Sequence, residues 1–380
     1  MKAGALKEKI IQTATELGID KIGFTDASDF SNLKDRIVAQ ENAGYTSGFE
    51  HKIIDERIYP DKIFNEPRTI ISIALAYPSV LTERPARTQY KRGTIARASW
   101  GEDYHFVLQR KLDALITQIK QFAVDEDPHF KPMVDTGELL DVAVAQRAGV
   151  GFVGKNGLLV TPEFGSFVYL GEIITNLELA PDQPMANGCG DCTRCIDGCP
   201  TNALLGGGRM NAQRCLSFQT QKRGMVEMEF RSKMHTQLYG CDICQLVCPY
   251  NQGIDSRQHS DMLPDPELAK PELIPILDQS NAEFKAKFGK MAGSWRGKKV
   301  MQRNAIIALG NLHDRTAIPR LQTLIQTDER PDIRATAVWA LGQIMQKKQS
   351  EALLDFLKQL NESSELVQNE IQRVFSQYES

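Results

Sequence analysis

All eight cysteines of this 380-residue chain fall between Cys189 and Cys248, with none in the 188 residues before or the 132 after. One short segment must therefore carry all of the thiol chemistry. Its first run, "CGDCTRCIDGCP", spaces Cys189, Cys192, Cys195 and Cys199 as C-x2-C-x2-C-x3-C and stops on Pro200. That is the bacterial ferredoxin pattern, in which the fourth cysteine ligates the other cluster of a two-cluster domain. The second run, "CDICQLVCP", places Cys241, Cys244 and Cys248 ahead of Pro249, with Leu238 where a full repeat would carry cysteine. Cys215 is the thiol left to complete the set. The spacing thus assigns Cys189, Cys192, Cys195 and Cys248 to one 4Fe-4S cluster, and Cys241, Cys244, Cys215 and Cys199 to the other. Paired C-x2-C spacings also suit tetrahedral zinc, but the tight cysteine run closed by C-P, present twice in related form, favours cubane clusters. Two clusters move electrons one at a time, so another part of the chain should use them.

At 42% hydrophobic residues, a chain of this length buries a large core and divides into two or three domains. Near the N-terminus, Leu6, Ile10, Ile11, Ala14 and Leu17 form a helical stripe, which is neither a signal peptide nor a membrane span. A cytoplasmic protein with no membrane segment is expected, and in that compartment grouped cysteines bind metal more often than they pair as disulfides. Before the cysteines, the pattern predicts a helix over about 5–17, a strand at "KIGF", a buried strand at "TIISIALAY" (Thr69 to Tyr77) and an amphipathic helix from about Asp103 to Phe122. It continues with a strand at "HFKPMV", a helix over about 138–148, and strand-like runs at "GLLVT" and "SFVYLGEII". Such alternation argues an α/β domain. Neither a dinucleotide-binding G-x-G-x-x-G nor a P-loop is present, which removes support for nicotinamide and nucleotide-triphosphate chemistry. A D-x-H-x-x-G motif of the kind that supplies an axial histidine to cobalt is absent as well.

Three segments of this region attract functional readings. "ARASWGEDYH" groups Ser99, Trp100, Asp103, Tyr104 and His105 where a helix begins; core aromatics with acids in the first helical turn explain it equally well. In "VDTGELLD", Asp135 follows the apolar end of a strand, a position suited to chemistry in open α/β sheets, yet Asp135 and Glu138 also match capping-box spacing. "GVGFVGKNGLLV" combines four glycines with Lys155 and Asn156, and Asn-Gly between apolar runs reads as a hairpin turn.

In this order, "VDTGELLDVAVAQRAGVGFVGKNGLLVTPEFGSFVYLGEIIT", "CGDCTRCIDGCP", "RCLSFQT" and "CDICQLVCP" resemble the epoxyqueuosine reductase family across nearly the whole chain. The resemblance implies base-off cobalamin, two 4Fe-4S clusters, and conversion of epoxyqueuosine to queuosine at the wobble position of tRNA. It places the catalytic acid on Asp135, which as a proton donor would have to be held protonated by burial. It also puts Ser217 and Asp242 on the ferredoxin side of the cobalamin pocket, with Arg57, Ser99, Tyr104, Lys155 and Asn156 as candidate contacts on the other side. An external one-electron donor such as flavodoxin or ferredoxin, and a monomeric state, complete the expectation. The expected domains are an α/β cobalamin-binding domain over 1–178, a ferredoxin-like two-cluster domain over 179–255 and HEAT-like helical repeats over 256–380.

The repeats are visible directly. "NAIIALGNL" and "TAVWALGQI" match at an offset of 32, pairing Ala308 with Ala340, Leu309 with Leu341 and Gly310 with Gly342, as in helical solenoids. From Lys290 to Lys348 there are eleven Lys and Arg against four acids, on a chain whose net charge is −3. So basic a segment reads as a footprint for the tRNA backbone, with Lys298, Lys299, Arg303 and Arg334 as contacts. A corrinoid reductive dehalogenase would leave these basic repeats without a purpose, and a bare electron carrier would leave "VDTGE" and "GFVGKNG" idle.

Overall fold

A strand that is apolar on both faces belongs in the middle of a layered domain. The run Thr69–Ala76 occupies that position, with every residue buried. In the computed structural model, which describes residues 3–345 and 350–379, the chain divides into two units, each built from three separate segments. The first comprises Met1–Val80, Gly101–Cys215 and Asp242–Leu263; the second comprises Leu81–Trp100, Leu216–Cys241 and Pro264–Ser380.

The first unit is built on a four-stranded sheet. Its strands are β1 (Lys21–Asp26), β2 (Thr69–Ala76), β3 (Phe130–Met133) and, after a small hairpin of β4 (Phe152–Val153) and β5 (Leu159–Val160), β6 (Val168–Thr175). The spatial order is β1-β2-β6-β3, and every neighbouring pair is antiparallel. Helices α1 (Ala3–Glu16), α2 (Tyr104–Phe122) and α3 (Asp141–Arg147) complete the layers. On one face, Ile70, Ile174 and Met133 pack with Val144 of α3, and Ala74 packs with Ala145 and Ala148. Leu108 and Leu112 of α2 press against Gly171 on the other face. Gly23 lets β1 pass close beneath the end of α3, since a Cβ there would lie 2.1 Å from the Ala148 carbonyl oxygen. The expected helices and strands are present, with one correction. The helix expected from 138 begins at Asp141 after Leu140, which makes no side-chain cap. Asp135 instead adopts a left-handed φ of +51° within a turn closed by Thr136 N donating to Val134 O, so the capping-box reading of Asp135 and Glu138 does not hold.

The second unit carries the repeats. Past α4 (Arg194–Asp197) and α5 (Ile243–Leu246) of the first unit, the chain forms α6 (Lys298–Asn311), α7 (Ile318–Thr327), α8 (Pro331–Ile344), α9 (Ser350–Lys358) and α10 (Glu365–Glu379). The repeated Leu-Gly pair has a steric cause. A Cβ at Gly310 would meet the Trp339 ring at 2.9 Å, and one at Gly342 would meet Val374 at 2.8 Å, so each glycine admits the next helix. Among the described residues, no helix is long and apolar enough to cross a membrane.

Two of the expected tRNA contacts are structural. Arg303 is buried, 1% exposed, and its guanidinium donates to Lys222 O (2.6 Å), Gly224 O (2.7 Å) and Gln219 O (2.9 Å). Arg334 forms a two-point pair with Glu362 (2.8 and 2.9 Å) and donates to Asp328 O. Burial gives such an arginine little access to a phosphate, because its donors already satisfy chain carbonyls. Lys347 and Lys348, counted in the basic balance, lie outside the described residues. Arg303→Ala should therefore act on the fold: with three carbonyls orphaned, stability should fall by about 3 kcal/mol or more, measured by thermal unfolding with cluster content checked alongside.

Candidate functional site

Two charged side chains meet beyond the end of β3. Asp103 is the N-cap of α2; its Oδ1 accepts from His105 N (3.1 Å) and from Nδ1 of the same residue (2.7 Å). This turns the His105 ring so that Nε2 faces Asp135 Oδ2 at 3.1 Å. With a carboxylate on each nitrogen, first Asp103 and then Asp135, the imidazole is pushed up to about 9 and donates from both sides. The His105 hydrogen bond in turn holds the Asp135 carboxyl below the usual range. The expectation that burial keeps Asp135 protonated is thus corrected. Its side chain is 55% exposed, and at neutral pH the proton of the pair resides on His105. A column of rings flanks them: Tyr104 lies over Tyr169 at 4.4 Å, and Tyr169 over Tyr77 at 4.4 Å.

The β4–β5 hairpin supports the cysteines. Asn156 is 5% exposed and accepts from Leu158 N (3.2 Å) within the turn, so the structure gives it a turn role in place of the expected cofactor contact. Lys155 Nζ reaches Gly190 O (2.7 Å), and Asn187 Nδ2 donates to Val153 O (2.8 Å), which ties the hairpin to the first cysteine run. The second run is fixed to the sheet. Gln245 Nε2, beside Cys244, donates to Tyr77 Oη (3.1 Å) and Ser166 O (2.9 Å), while Asn251 Oδ1 accepts from Ser166 N (2.7 Å). None of the eight cysteines is in a disulfide. Burial raises the Cys195 thiol, with the charges of Cys189 and Cys248 adding to it; burial raises Cys248 likewise, with Cys189 and Cys192 adding.

Three family models match the chain. One is described as epoxyqueuosine reductase QueG, over 57–136; another as a 4Fe-4S double cluster binding domain, over 188–251; the third as HEAT repeats, over 296–374. The epoxyqueuosine reductase of Lactococcus garvieae is 55% identical over 343 residues, covering 90% of this chain and 97% of its own. The chain belongs to the epoxyqueuosine reductase family. Among solved structures, an epoxyqueuosine reductase with an epoxyqueuosine-modified tRNA-Tyr stem loop matches with TM-score 0.93 and 50% identity, over 99% of each chain. The Bacillus subtilis epoxyqueuosine reductase, solved with its catalytic aspartate loop swung out of the active site, matches with TM-score 0.92 and 50% identity, over 98% of each chain. As a member of that family the protein is an oxidoreductase with a double 4Fe-4S domain and HEAT repeats, the fold class expected from its sequence.

The remaining expected contacts divide. Ser99 is 1% exposed and its Oγ accepts from Gly293 N (2.5 Å), so it is corrected to a structural role. Arg57 lies in the short helix Ile54–Ile58, 3.9 Å from Glu41. Asp242 precedes α5 in the first unit; Ser217 belongs to the second, with Oγ accepting from Gln221 Nε2 at 3.2 Å. The sequence does not single out His105 as a site residue, because its partner Asp135 is thirty positions away and nothing local marks the pairing. Its titration checks the geometry. His105 lies above its ordinary 6.5, so the stability it contributes is complete below that value and is lost as pH rises through about 9. In Asp135→Asn the imidazole loses one of its two carboxylates, and NMR of the ring should show its midpoint moved from about 9 toward 6.5.

Proposed function

We propose that this protein reduces epoxyqueuosine to queuosine at the wobble position of tRNA, with base-off cobalamin as the reactive centre and two 4Fe-4S clusters delivering electrons. The observation that carries the reading is the His105–Asp135 pair (3.1 Å), in the same unit as a cysteine run that Gln245 fastens to the sheet. Both ring nitrogens of His105 are engaged, by Asp103 and Asp135, so that imidazole would not compete for the metal of a bound cobalamin. When bound, cobalamin supplies a strongly reducing nucleophilic centre for opening the strained ring. Arg57, Tyr104, Lys155, Ser217 and Asp242 are proposed to line its site. The protein's own part is the proton. As oxygen leaves carbon it gains negative charge, and the imidazolium–carboxylate pair gives up the proton held on His105, with Asp135 as the exposed member meeting the substrate. Cobalt, clusters and substrate fall within domains proposed at 1–178 and 179–255, and the repeats at 256–380.

The cluster ligands follow the crossed pattern: Cys189, Cys192, Cys195 and Cys248 for one cluster, and Cys199, Cys215, Cys241 and Cys244 for the other. The mutual influence of Cys189, Cys195 and Cys248 supports the first set. An external one-electron donor such as flavodoxin or ferredoxin would reduce them, in a cytoplasmic monomer. For tRNA the proposed contacts are Lys298 and Lys299, joined by Arg223 and Arg296, which line a cleft of about 490 Å³ in the second unit. There burial, and then the neighbouring Arg223, depress the Arg296 guanidinium, a crowding of like charge that a phosphate relieves.

Two substitutions test this. Asp135→Asn should fold, keep clusters and cobalamin, bind tRNA, and convert epoxyqueuosine about 10²- to 10⁴-fold more slowly in single-turnover assays with a low-potential reductant; near wild-type turnover would return the proton to Tyr104 or water. Reversing the charge of Arg223, Lys298 and Lys299 together should weaken stem-loop binding and flatten its salt dependence without changing cofactor content. Equal affinity at several salt concentrations would remove the cleft from tRNA binding.

A further inference from the structure

Removing the epoxide oxygen as water takes two electrons and two protons, and the His105–Asp135 pair holds one proton. A second set of acids lies behind it. Glu172 sits on β6 opposite Met133 of β3 and Ser72 of β2, on the sheet face that α3 covers, and is 0% exposed. Neither of its carboxyl oxygens has a hydrogen-bond donor, and the Ser72 hydroxyl beside it is equally without a partner. Asp141, half-buried in the first turn of α3, which packs on this face of the sheet, lies near enough for its carboxyl to act on that of Glu172. Lys131, the next outward residue on that face of β3, is committed to Glu138 at 2.6 Å, and Gly23 of β1, opposite Ser72, has no side chain. Among the described residues, no cation is paired with either acid.

Two facing carboxylates cannot hydrogen-bond to each other unless one keeps its proton, and an ionised carboxylate sealed between helix and sheet without a donor is among the costliest groups to bury. We propose that Asp141 and Glu172 share a proton at neutral pH and form a buried proton store behind Asp135, supplying the second proton of epoxide reduction. The balance is complete. Both carbon–oxygen bonds of the epoxide break and a carbon–carbon double bond forms. Two electrons arrive singly through the clusters from an external one-electron reductant. The oxygen leaves as water with one proton from His105 and one from the Asp141–Glu172 pair. Asp135 lies near enough for its charge to act on both acids, and it is the group through which the second proton would leave. Burial, then the Asp135 charge, pushes Asp141 up to about 7, while burial, then Asp141, raises Glu172 well above the ordinary range.

This inference rests on the proposed reductase chemistry, and its test separates the two. Infrared spectra of the cofactor-loaded enzyme in D2O near neutral pH should show the C=O stretch of a protonated carboxyl, absent from Glu172→Gln and shifted in Asp141→Asn. In single turnover with epoxyqueuosine-modified stem loop, Glu172→Gln should bind RNA normally and react at least about 10²-fold more slowly. Wild type should lose rate above pH 7, and the variant should not show that decline. Absence of the protonated-carboxyl band, or a Glu172→Gln enzyme with wild-type rate and pH profile, overturns the proposal. If Gln at 172 prevents folding, the wild-type band and Asp141→Asn decide in the same way. Failure of the reductase reading appears elsewhere, as an Asp135→Asn enzyme at wild-type rate.

Discussion

The buried amide of Gln245 sets the geometry on which the first unit's chemistry depends. Segments that wrap metal clusters are poor in apolar residues and cannot hold position by core burial. Here the task falls to a polar lock, in which Gln245 bonds to Tyr77 and Ser166, and Asn251 bonds to Ser166 N and to Gln245 O. Both side-chain amides in it find acceptors, and buried networks specify position only when satisfied in this way. Because Tyr77 starts the ring column through Tyr169 to Tyr104, the lock fixes Cys244 relative to the turn of α2 that carries His105.

Within that frame, similar carboxyl groups take opposite protonation states. Asp135 is exposed and bonded to an imidazolium, so it ionises readily; Asp141 and Glu172 lie where helix meets sheet, and burial raises both, so the pair keeps a proton. Environments that drive titratable groups apart are how one fold arranges an acid and a base at the same pH. The strained turn at Asp135, φ +51°, fits the same logic. A residue held in the left-handed region costs about 1–3 kcal/mol, and here the ion pair to His105 offsets part of that cost.

Regular features were legible in the sequence because their causes are local. Cysteine spacing marks a cubane motif, the unbroken apolar run at Thr69–Ala76 marks a central strand, and the Leu-Gly repeat marks helices that must approach closely at Trp339 and Val374. The site was harder to read because its causes lie far apart. Asp135 and Glu138 share the spacing of a capping box, yet the chain spends those residues on a turn and starts the helix at Asp141. His105 gains its meaning only from Asp135, and Glu172 only from Asp141. The sheet added another difficulty: its strands are all antiparallel, so the rule that ligands gather at the ends of parallel strands was not the reason Asp135 sits where it does.

Charge counting misleads for a related physical reason. Formal charge from Lys290 to Lys348 includes Arg303, Arg330 and Arg334, whose guanidiniums bind chain carbonyls, Asp328 or Glu362. They assemble the repeats, as does the buried Arg231–Glu370 pair at 2.9 Å. Arginine suits this work because its planar fork satisfies several acceptors at once. In the cleft proposed for tRNA, burial and then the neighbouring Arg223 depress the Arg296 guanidinium. Like charges brought together in a folded cleft cost free energy until an anion arrives, so their placement is stronger support for a nucleic-acid surface than the excess of basic residues that first suggested one.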